Sequence, residues 1–491
     1  MSQTAIIIGL PETCRRLERQ LDLLPQRPVT LGWVLAEGDS PNAAGESRHG
    51  DPEVLGVVSE LEAIVARRRP DVALVALPSV MSRLIATIRT RLRRLGVPDR
   101  FMPTLEDQIA GIGPRSQLEV DLASLLDRKP RSIDEQAVRR VIQSKRVLIT
   151  GAGGSIGSEL ARIVCRFNAR ELILVDRAEN ALFEIDRQIA RLAQDLPRRA
   201  VLHDVVDAEA TLKHFRRLRP AVVFHAAAHK HVPMMEGHPA AAVDNNLFGT
   251  KSVADAADAA GTERFVLIST DKAVNPRSIM GATKRLAELY VQHINQRSPV
   301  SFSMVRFGNV LGSTGSVLDI WSKEIAEGGP LTVTDPGMTR YFMTVAEAAA
   351  LVIQSAALVD PQSACPEVFL LDMGEPIRVV DLAHRFIALH GLEPQRPDSY
   401  DQQGGPGRVR IVFTGARPGE KLHEELLVGG EAIRPSAHPD IHIWQLPAPD
   451  PDFVEHMISV LSPQRRSPQA ADVAEMVRHL VLHEQPQPAA A

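Results

Sequence analysis

The chain predicts an α/β fold made of two consecutive strand–helix units, each organised on a parallel sheet. Three observations carry this. Short apolar runs such as Ala5-Ile-Ile-Ile8, Val72-Ala-Leu-Val-Ala-Leu77 and Phe265-Val-Leu-Ile268 are strand-sized and read as strands buried on both faces. These runs alternate with amphipathic helical stretches, the pattern of parallel strands joined by helical crossovers. A glycine-rich turn, Gly151-Ala-Gly-Gly-Ser-Ile-Gly157, joins one such strand to a helix.

A length of 491 residues suggests about two to four domains, with ample chain for large cores. The net charge is only -4, so no basic field points to nucleic acid as a partner. Hydrophobic residues make up 44% and aromatics 4%, which suits aliphatic α/β cores. Cys14, Cys165 and Cys365 are far apart and share no metal-ligand spacing, which fits a reducing compartment without a disulfide framework. No signal peptide is evident, and no apolar run approaches the roughly 20 residues of a transmembrane helix. A soluble, cytoplasmic protein is therefore expected.

Residues 1–130 read as a Rossmann-like N-terminal domain. The strand Ala5–Ile8 is followed by a helix through Leu17, Leu21 and Leu24 and a strand from Thr30 to Leu35. A Gly/Asp/Ser-rich loop over 37–52 precedes a helix near 59–68, the strand 72–77 and a long helix from Ser82 to Leu95. After the first strand, Gly9 is followed by Leu, Pro, Glu and Thr, so the turn lacks a glycine fingerprint. A packing or regulatory role is expected there in preference to nucleotide binding. Asp127-Arg-Lys-Pro130 looks like the connection to the next domain.

The second domain, 131–480, opens with the strand Arg146-Val-Leu-Ile-Thr150 and the glycine turn. Gly151 permits the tight turn, Gly154 lets backbone approach a pyrophosphate, and Gly157 allows close contact with a helix expected from about Ser158. That helix's unpaired N–H groups favour phosphate. The next strand, Leu172-Ile-Leu-Val175, ends in Asp176, 25 residues after Gly151, where a carboxylate can accept from an adenosine ribose diol. The adjacent Arg177 could instead attract a 2′-phosphate, so NAD is favoured and NADP is possible. Asp204, ending Val201-Leu-His-Asp204, could reach the adenine amino group. After Ala221-Val-Val-Phe224, the alanines of His225-Ala-Ala-Ala-His-Lys-His231 leave room for a flat cofactor. His225, His229 and His231 lack a Cys or carboxylate to complete a ligand set, so no metal is expected. Asn245 and Asn246 precede a helix carrying Leu-Phe-Gly-Thr250.

Ser269-Thr-Asp-Lys272 then sits where the 265–268 strand ends, and a helix follows with Lys284 one turn beyond Met280. A hydroxyl, an acid and a base at the C-terminal end of a parallel strand lie where open α/β sheets place their ligands. Taken alone, the stretch reads equally well as a capped strand-to-helix loop.

Six motifs change that balance. They are Thr150-Gly-Ala-Gly-Gly-Ser-Ile-Gly-Ser-Glu159, Ala226-Ala-Ala-His-Lys-His-Val-Pro233, Ser269-Thr-Asp-Lys-Ala-Val-Asn-Pro276, Arg306-Phe-Gly-Asn-Val-Leu-Gly312, Thr339-Arg-Tyr-Phe-Met343 and Ala416-Arg-Pro-Gly-Glu-Lys-Leu422. In this order the chain resembles the extended short-chain dehydrogenase/reductase superfamily, and more closely its CapD/WbpM-type polysaccharide-biosynthesis group of nucleotide-sugar 4,6-dehydratases. The resemblance spans about residues 130–445. It implies a Rossmann cofactor part over about 145–310 and a small mixed α/β substrate lobe over about 311–450. It also implies a cofactor site of Gly151, Gly154, Ser155, Ile156, Gly157, Asp176, Arg177, Asp204, Val205, Ala226, Ala227 and Lys284. Lys230, Asn309, Arg340, Arg417 and Glu420 would bind the substrate, the two arginines on the diphosphate and Glu420 near the uridine ribose. Guanidinium forks match pyrophosphate oxygens, although a surface ion pair is the commoner fate of an arginine. Related proteins self-associate, so a homo-oligomer is expected by resemblance.

This chain departs from the pattern twice. Larger members of the group carry four transmembrane helices ahead of the first α/β unit, and this chain begins directly with that unit, so membrane attachment does not transfer. The superfamily's catalytic Tyr-x-x-x-Lys is also missing. Four residues after Tyr290, Tyr341 and Tyr400 stand Ile294, Val345 and Gly404, and Met280 stands four before Lys284. The larger members of the group share this Met.

The implied reaction is 4,6-dehydration of UDP-N-acetylglucosamine or a close UDP-hexose. Thr270 would hold the C4 hydroxyl, and Asp271 and Lys272 would act as acid and base at C6 and C5, in either assignment. Lys284 would bind the nicotinamide ribose. A C5-inverting dehydratase uses the same residues. A nucleotide-sugar epimerase has no need of an acid at C6, and a non-catalytic UDP-sugar sensor has no need of Asp271, Lys272 and Lys284 together, though Met280 would suit one.

Thr332-Val-Thr334, Glu367-Val-Phe-Leu-Leu371, Arg408-Val-Arg-Ile-Val-Phe413 and Ile441-His-Ile-Trp444 read as short strands of the substrate lobe. Pro394–Gly407 reads as a loop and 481–491 as a disordered tail.

Overall fold

A computed structural model describes residues 4–22, 27–36, 54–78, 81–102, 122, 125–126, 133–359, 367–390, 392–395, 408–427, 433–444 and 446–484. Cys365, the 37–52 loop, Asp127-Arg-Lys-Pro130, most of the 394–407 loop and the tail from Gln485 lie outside the described residues. The chain forms two compact units, one of Met1–Arg128, Gly328–Leu331 and Leu382–Ile411, the other of Lys129–Glu327, Thr332–Asp381 and Val412–Ala491.

The first unit carries a five-stranded sheet of β1 (Thr4–Gly9), β2 (Val29–Leu35), β3 (Val54–Val57), β4 (Val72–Ala76) and β5 (Asp99–Phe101), in the order β3-β2-β1-β4-β5. All its pairings are parallel, as the run-and-helix alternation requires. Helices α1 (Pro11–Leu21), α2 (Leu61–Arg68) and α3 (Ser82–Arg94) supply the crossovers. In the turn after β1, Thr13 accepts the Leu10 N–H at 3.0 Å and donates to the carbonyl of Ala76. A threonine side chain thus ties the turn to β4.

The second unit is built on nine strands. Six of them are β6 (Arg146–Thr150), β7 (Glu171–Asp176), β8 (Arg198–Leu202), β9 (Val222–His225), β10 (Arg264–Ile268) and β11 (Ser301–Arg306). The others are β12 (Glu367–Leu371), β13 (Ile433–Pro435) and β14 (Ile441–Trp444). The order is β13-β14-β12-β11-β10-β9-β6-β7-β8. The chain winds outward from β6 to β8, returns to β9 beside β6, and winds the other way, which places the switch point between β6 and β9. Phe265 and Leu267 enter one core layer and Val266 the other, so β10 is apolar without alternation. Each such phenylalanine removed from water contributes about 1.5–3 kcal/mol.

Two expectations are corrected here. Residues 367–371 and 441–444 belong to this main sheet and not to a separate small lobe: β12 pairs in parallel with β11, and β14 runs antiparallel to β12. The reason is burial, since Phe369, Leu371 and Ile441 are fully buried and complete the core beside β11. The 408–413 stretch is two short strands, Arg408–Val409 and Ile411–Phe413, rather than one.

The helix after the glycine turn, α4 (Ser155–Val164), begins three residues earlier than expected because Gly154 is its N-cap. Ser155, Ile156 and Gly157 therefore supply the first, unpaired helical N–H groups. Helix α5 (Glu179–Leu192) follows β7, and α6 (Ile279–Asn295) follows β10. Ser278 caps α6 by accepting the Gly281 N–H at 3.0 Å. The helix is buried almost all round, Lys284 and Glu288 included. Among the described residues, no helix is long and apolar enough to cross a membrane.

Candidate active site

The switch point opens into a cleft of about 180 Å³ lined by Gly151, Gly154, Asp176, Arg177, Asp204, Val205 and the alanines from 226 to 228. Gly151 has φ +64°, and a Cβ there would lie 2.8 Å from the Ala227 nitrogen. Only glycine closes this turn against the strand end. A Cβ on Gly157 would come within 2.1 Å of the Gly151 carbonyl, so the helix sits directly on the turn. Asp176 accepts from Gly153 N–H and Ala178 N–H, both at 2.9 Å, which fixes its carboxylate at the cleft. Arg177 is engaged otherwise: it lies 3.6 Å from Asp204 and 3.1 Å from His229 Nε2. The cradle, the helix N-terminus and the held carboxylate fit a dinucleotide.

Of the three histidines, His225 is held between two threonine hydroxyls. His225 Nδ1 is 2.7 Å from Thr150 Oγ1 and its Nε2 is 3.0 Å from Thr250 Oγ1. Burial, with the Lys284 charge nearby, pushes its pKa down to about 3. It is a neutral strut that ties β9 to β6 and to the helix Gly249–Ala259.

At the end of β10, Thr270, Asp271 and Lys272 come together. Asp271 is fully buried. Its Oδ1 accepts from Thr270 Oγ1 at 2.9 Å and from Lys272 Nζ at 3.0 Å. Lys272 Nζ also donates to Asn309 Oδ1 at 3.0 Å, so Asn309 stands beside the Asp271–Lys272 pair. Lys284 donates to the Ile268 carbonyl at 2.6 Å, and burial pushes its pKa down to about 8. Met280 is buried one turn earlier. Behind the site, Glu288 accepts from Ser269 at 2.6 Å and from Arg306 Nε at 2.8 Å, while Arg306 lies over Trp444 at 4.3 Å. This buried ion pair anchors β10, β11 and α6 to one another.

A second pocket, again about 180 Å³, is lined by Lys230, Lys272, Arg277, Asn309, Arg340, Arg417 and Glu420, among others. The two predicted diphosphate arginines differ. Arg417 is exposed and pairs with Glu420 at 2.8 Å. Arg340 is buried, and its guanidinium donates to the carbonyls of Thr339, Leu422 and Lys421 at 2.7, 3.1 and 2.7 Å. It holds the 421–424 loop. Lys230 donates to the Thr314 carbonyl at 2.7 Å on the pocket's edge.

Four residues went unassigned in the sequence. Asn246 lies in a π-helical stretch, Val243–Phe248. It accepts from His229 N–H at 2.8 Å and donates to Thr283 Oγ1 at 3.2 Å, tying the alanine segment to α6. Gly281 approaches so closely that a Cβ would sit 2.1 Å from the Lys272 carbonyl. Arg277, exposed, and Glu424, buried, both line the second pocket. The π-helix is a known mark of functional sites, but it has no sequence signal here.

A doubly wound sheet with a glycine cradle at its switch point and a Thr-Asp-Lys strand end beside a cationic pocket is the arrangement of a short-chain dehydrogenase/reductase of the dehydratase/epimerase type. The profile described as polysaccharide biosynthesis protein matches residues 147–446, and the chain belongs to that family. It is 41% identical to the probable polysaccharide biosynthesis protein EpsC of Bacillus subtilis over 90% of this chain and 71% of EpsC. It is 30% identical to the UDP-N-acetylglucosamine 4,6-dehydratase (inverting) of Campylobacter jejuni over 58% of this chain and 78% of that enzyme. Among solved structures, Pen from Bacillus thuringiensis is 30% identical with a TM-score of 0.53, over 62% of this chain and 88% of Pen.

Proposed function

We propose that this chain dehydrates UDP-N-acetylglucosamine, or a close UDP-hexose, to the 4-keto-6-deoxy sugar with NAD as resident cofactor. The observation that carries the reading is the Lys272 ammonium, held between Asp271 and Asn309 in the wall of the cationic pocket. The match to a UDP-N-acetylglucosamine 4,6-dehydratase supports it.

The cleft residues would hold NAD, with the Ser155, Ile156 and Gly157 N–H groups on the pyrophosphate and Asp176 on the adenosine ribose. Asp176 faces the cleft while Arg177 is turned to Asp204 and His229, which favours NAD over NADP. When bound, the nicotinamide supplies hydride acceptance from C4 and hydride return to C6.

The protein supplies the rest. Thr270 orients the C4 hydroxyl. Oxidation at C4 acidifies the C5 proton, and Lys272 faces the pocket where that proton leaves. Asp271 takes a proton from the Lys272 ammonium across 3.0 Å, and the freed amine takes the C5 proton. The Asp271 carboxyl gives its proton to the departing C6 hydroxyl, and Lys272 returns a proton to C5 at the end of the cycle. Lys284 places a cation beside the nicotinamide ribose. Arg417 and Arg277 take the diphosphate charge.

Incubation with UDP-N-acetylglucosamine and NAD should give a product lighter by one water. Lys272→Ala should abolish it and leave NAD binding intact. Full activity in that variant removes Lys272 from the mechanism. An epimerase would yield a product of unchanged mass.

A further inference from the structure

We infer that Glu424 is a specificity-determining residue whose Oε2 accepts a hydrogen bond from a hydroxyl or amide N–H on the sugar of the bound nucleotide sugar. The inference rests on the functional reading above and extends it to the orientation of the ligand. The Glu424 side chain is 3% exposed, and its Oε1 is shared between Lys272 Nζ at 3.6 Å and Arg340 Nε at 3.7 Å. Oε2 is buried and has no hydrogen-bond donor among the described residues. Buried carboxylate oxygens are normally satisfied, and leaving one without a donor is unfavourable. Glu424 is among the residues that line the pocket.

The two ends of a nucleotide sugar are not equivalent toward this oxygen. A diphosphate offers only acceptors and negative charge, which a carboxylate repels. The sugar offers hydroxyl and amide donors and carries no charge. Arg277 and Arg417, both exposed in the same pocket, have guanidinium groups suited to the diphosphate, whereas Arg340 is committed to three carbonyls. The pocket is therefore polarised. The diphosphate lies against Arg277 and Arg417, and the sugar lies between Glu424 and Lys272, where the acid–base pair stands.

Calorimetric titration of the full chain with UDP-N-acetylglucosamine and with UDP, without added cofactor, tests this against Glu424→Gln. The glutamine keeps the shape and puts a donor where an acceptor stood. Affinity for the UDP-sugar should fall about tenfold or more, with UDP affinity held within about twofold because the diphosphate contacts are untouched. If Glu424→Gln does not fold, as judged by its melting transition, Glu424→Asp keeps the charge, withdraws the acceptor by one methylene, and should show the same selective loss. A variant that keeps wild-type affinity for the UDP-sugar, or that loses both ligands equally while folded, overturns the inference. So does a wild-type chain that binds the UDP-sugar no more tightly than UDP, and each of these outcomes leaves the dehydratase reading standing. A wild-type chain that binds neither ligand overturns both.

Discussion

Lys284 donates its ammonium to the carbonyl of Ile268 at 2.6 Å, so a cation on α6 is tied to the last residue of β10. The bond fixes α6 against the strand whose end carries Thr270, Asp271 and Lys272. It also leaves a buried charge with a measurable consequence.

Burial lowers the Lys284 pKa from 10.5 to about 8. Between those values the unfolded chain holds a proton that the folded chain has lost, so stability rises with pH across that window. The difference in unfolding free energy between wild type and Lys284→Met should grow by about 2 kcal/mol from pH 8 to pH 10. Urea unfolding at the two pH values reads it, and a pH-independent difference contradicts the buried ammonium.

Gly151→Ala should remove cofactor binding. Its positive φ alone costs about 1–3 kcal/mol for a non-glycine residue, and the added Cβ would also press on the Ala226–Ala227 backbone. Fluorescence titration with NADH should show no saturation, and the urea midpoint should fall.

The two arginines expected on the diphosphate, Arg340 and Arg417, should separate cleanly. Arg340→Ala removes donors from three carbonyls and should cost about 1.5–4.5 kcal/mol of stability at about 0.5–1.5 per bond. Arg417→Ala removes an exposed side chain and should change stability by less than about 0.5 kcal/mol. It should nevertheless weaken UDP binding by about tenfold or more, the loss of a charge-assisted contact. Thermal melts and UDP titrations of both variants check the split.

Met280 carries no proton to exchange, so a volume-conserving change should be tolerated. Met280→Leu should cost less than about 1.5 kcal/mol and leave turnover close to wild type. Met280→Tyr adds bulk to a site that is 3% exposed and should cost about 1–3 kcal/mol. Equilibrium unfolding with steady-state rates for both variants reads the outcome.

Much of this architecture was legible in the sequence because it is local. An apolar run such as Phe265-Val-Leu-Ile268 marks a doubly buried strand, and glycines at 151, 154 and 157 mark a turn that backbone geometry demands. What was not legible depends on contacts between distant segments. The runs at 367–371 and 441–444 read as strands, but an apolar run does not say which strand it pairs with, and both joined the main sheet. Arg340 reads as an anion contact in the sequence, but its guanidinium is engaged by the carbonyls of Thr339, Lys421 and Leu422. Glu424 and Asn246 read as ordinary polar residues, since their burial arises only when the 421–424 loop reaches Lys272 and the π-helical turn reaches α6.

The central claim is that Lys272 and Asp271 move protons at C5 and C6 of a UDP-hexose. A proton NMR time course of the purified chain with NAD and UDP-N-acetylglucosamine in D2O tests it most directly. The account predicts a new C6 methyl signal with deuterium at C5, absent in Lys272→Ala. Unchanged UDP-N-acetylglucosamine, with both cofactor and UDP-sugar shown to bind, would contradict it and make Met280 the residue to explain.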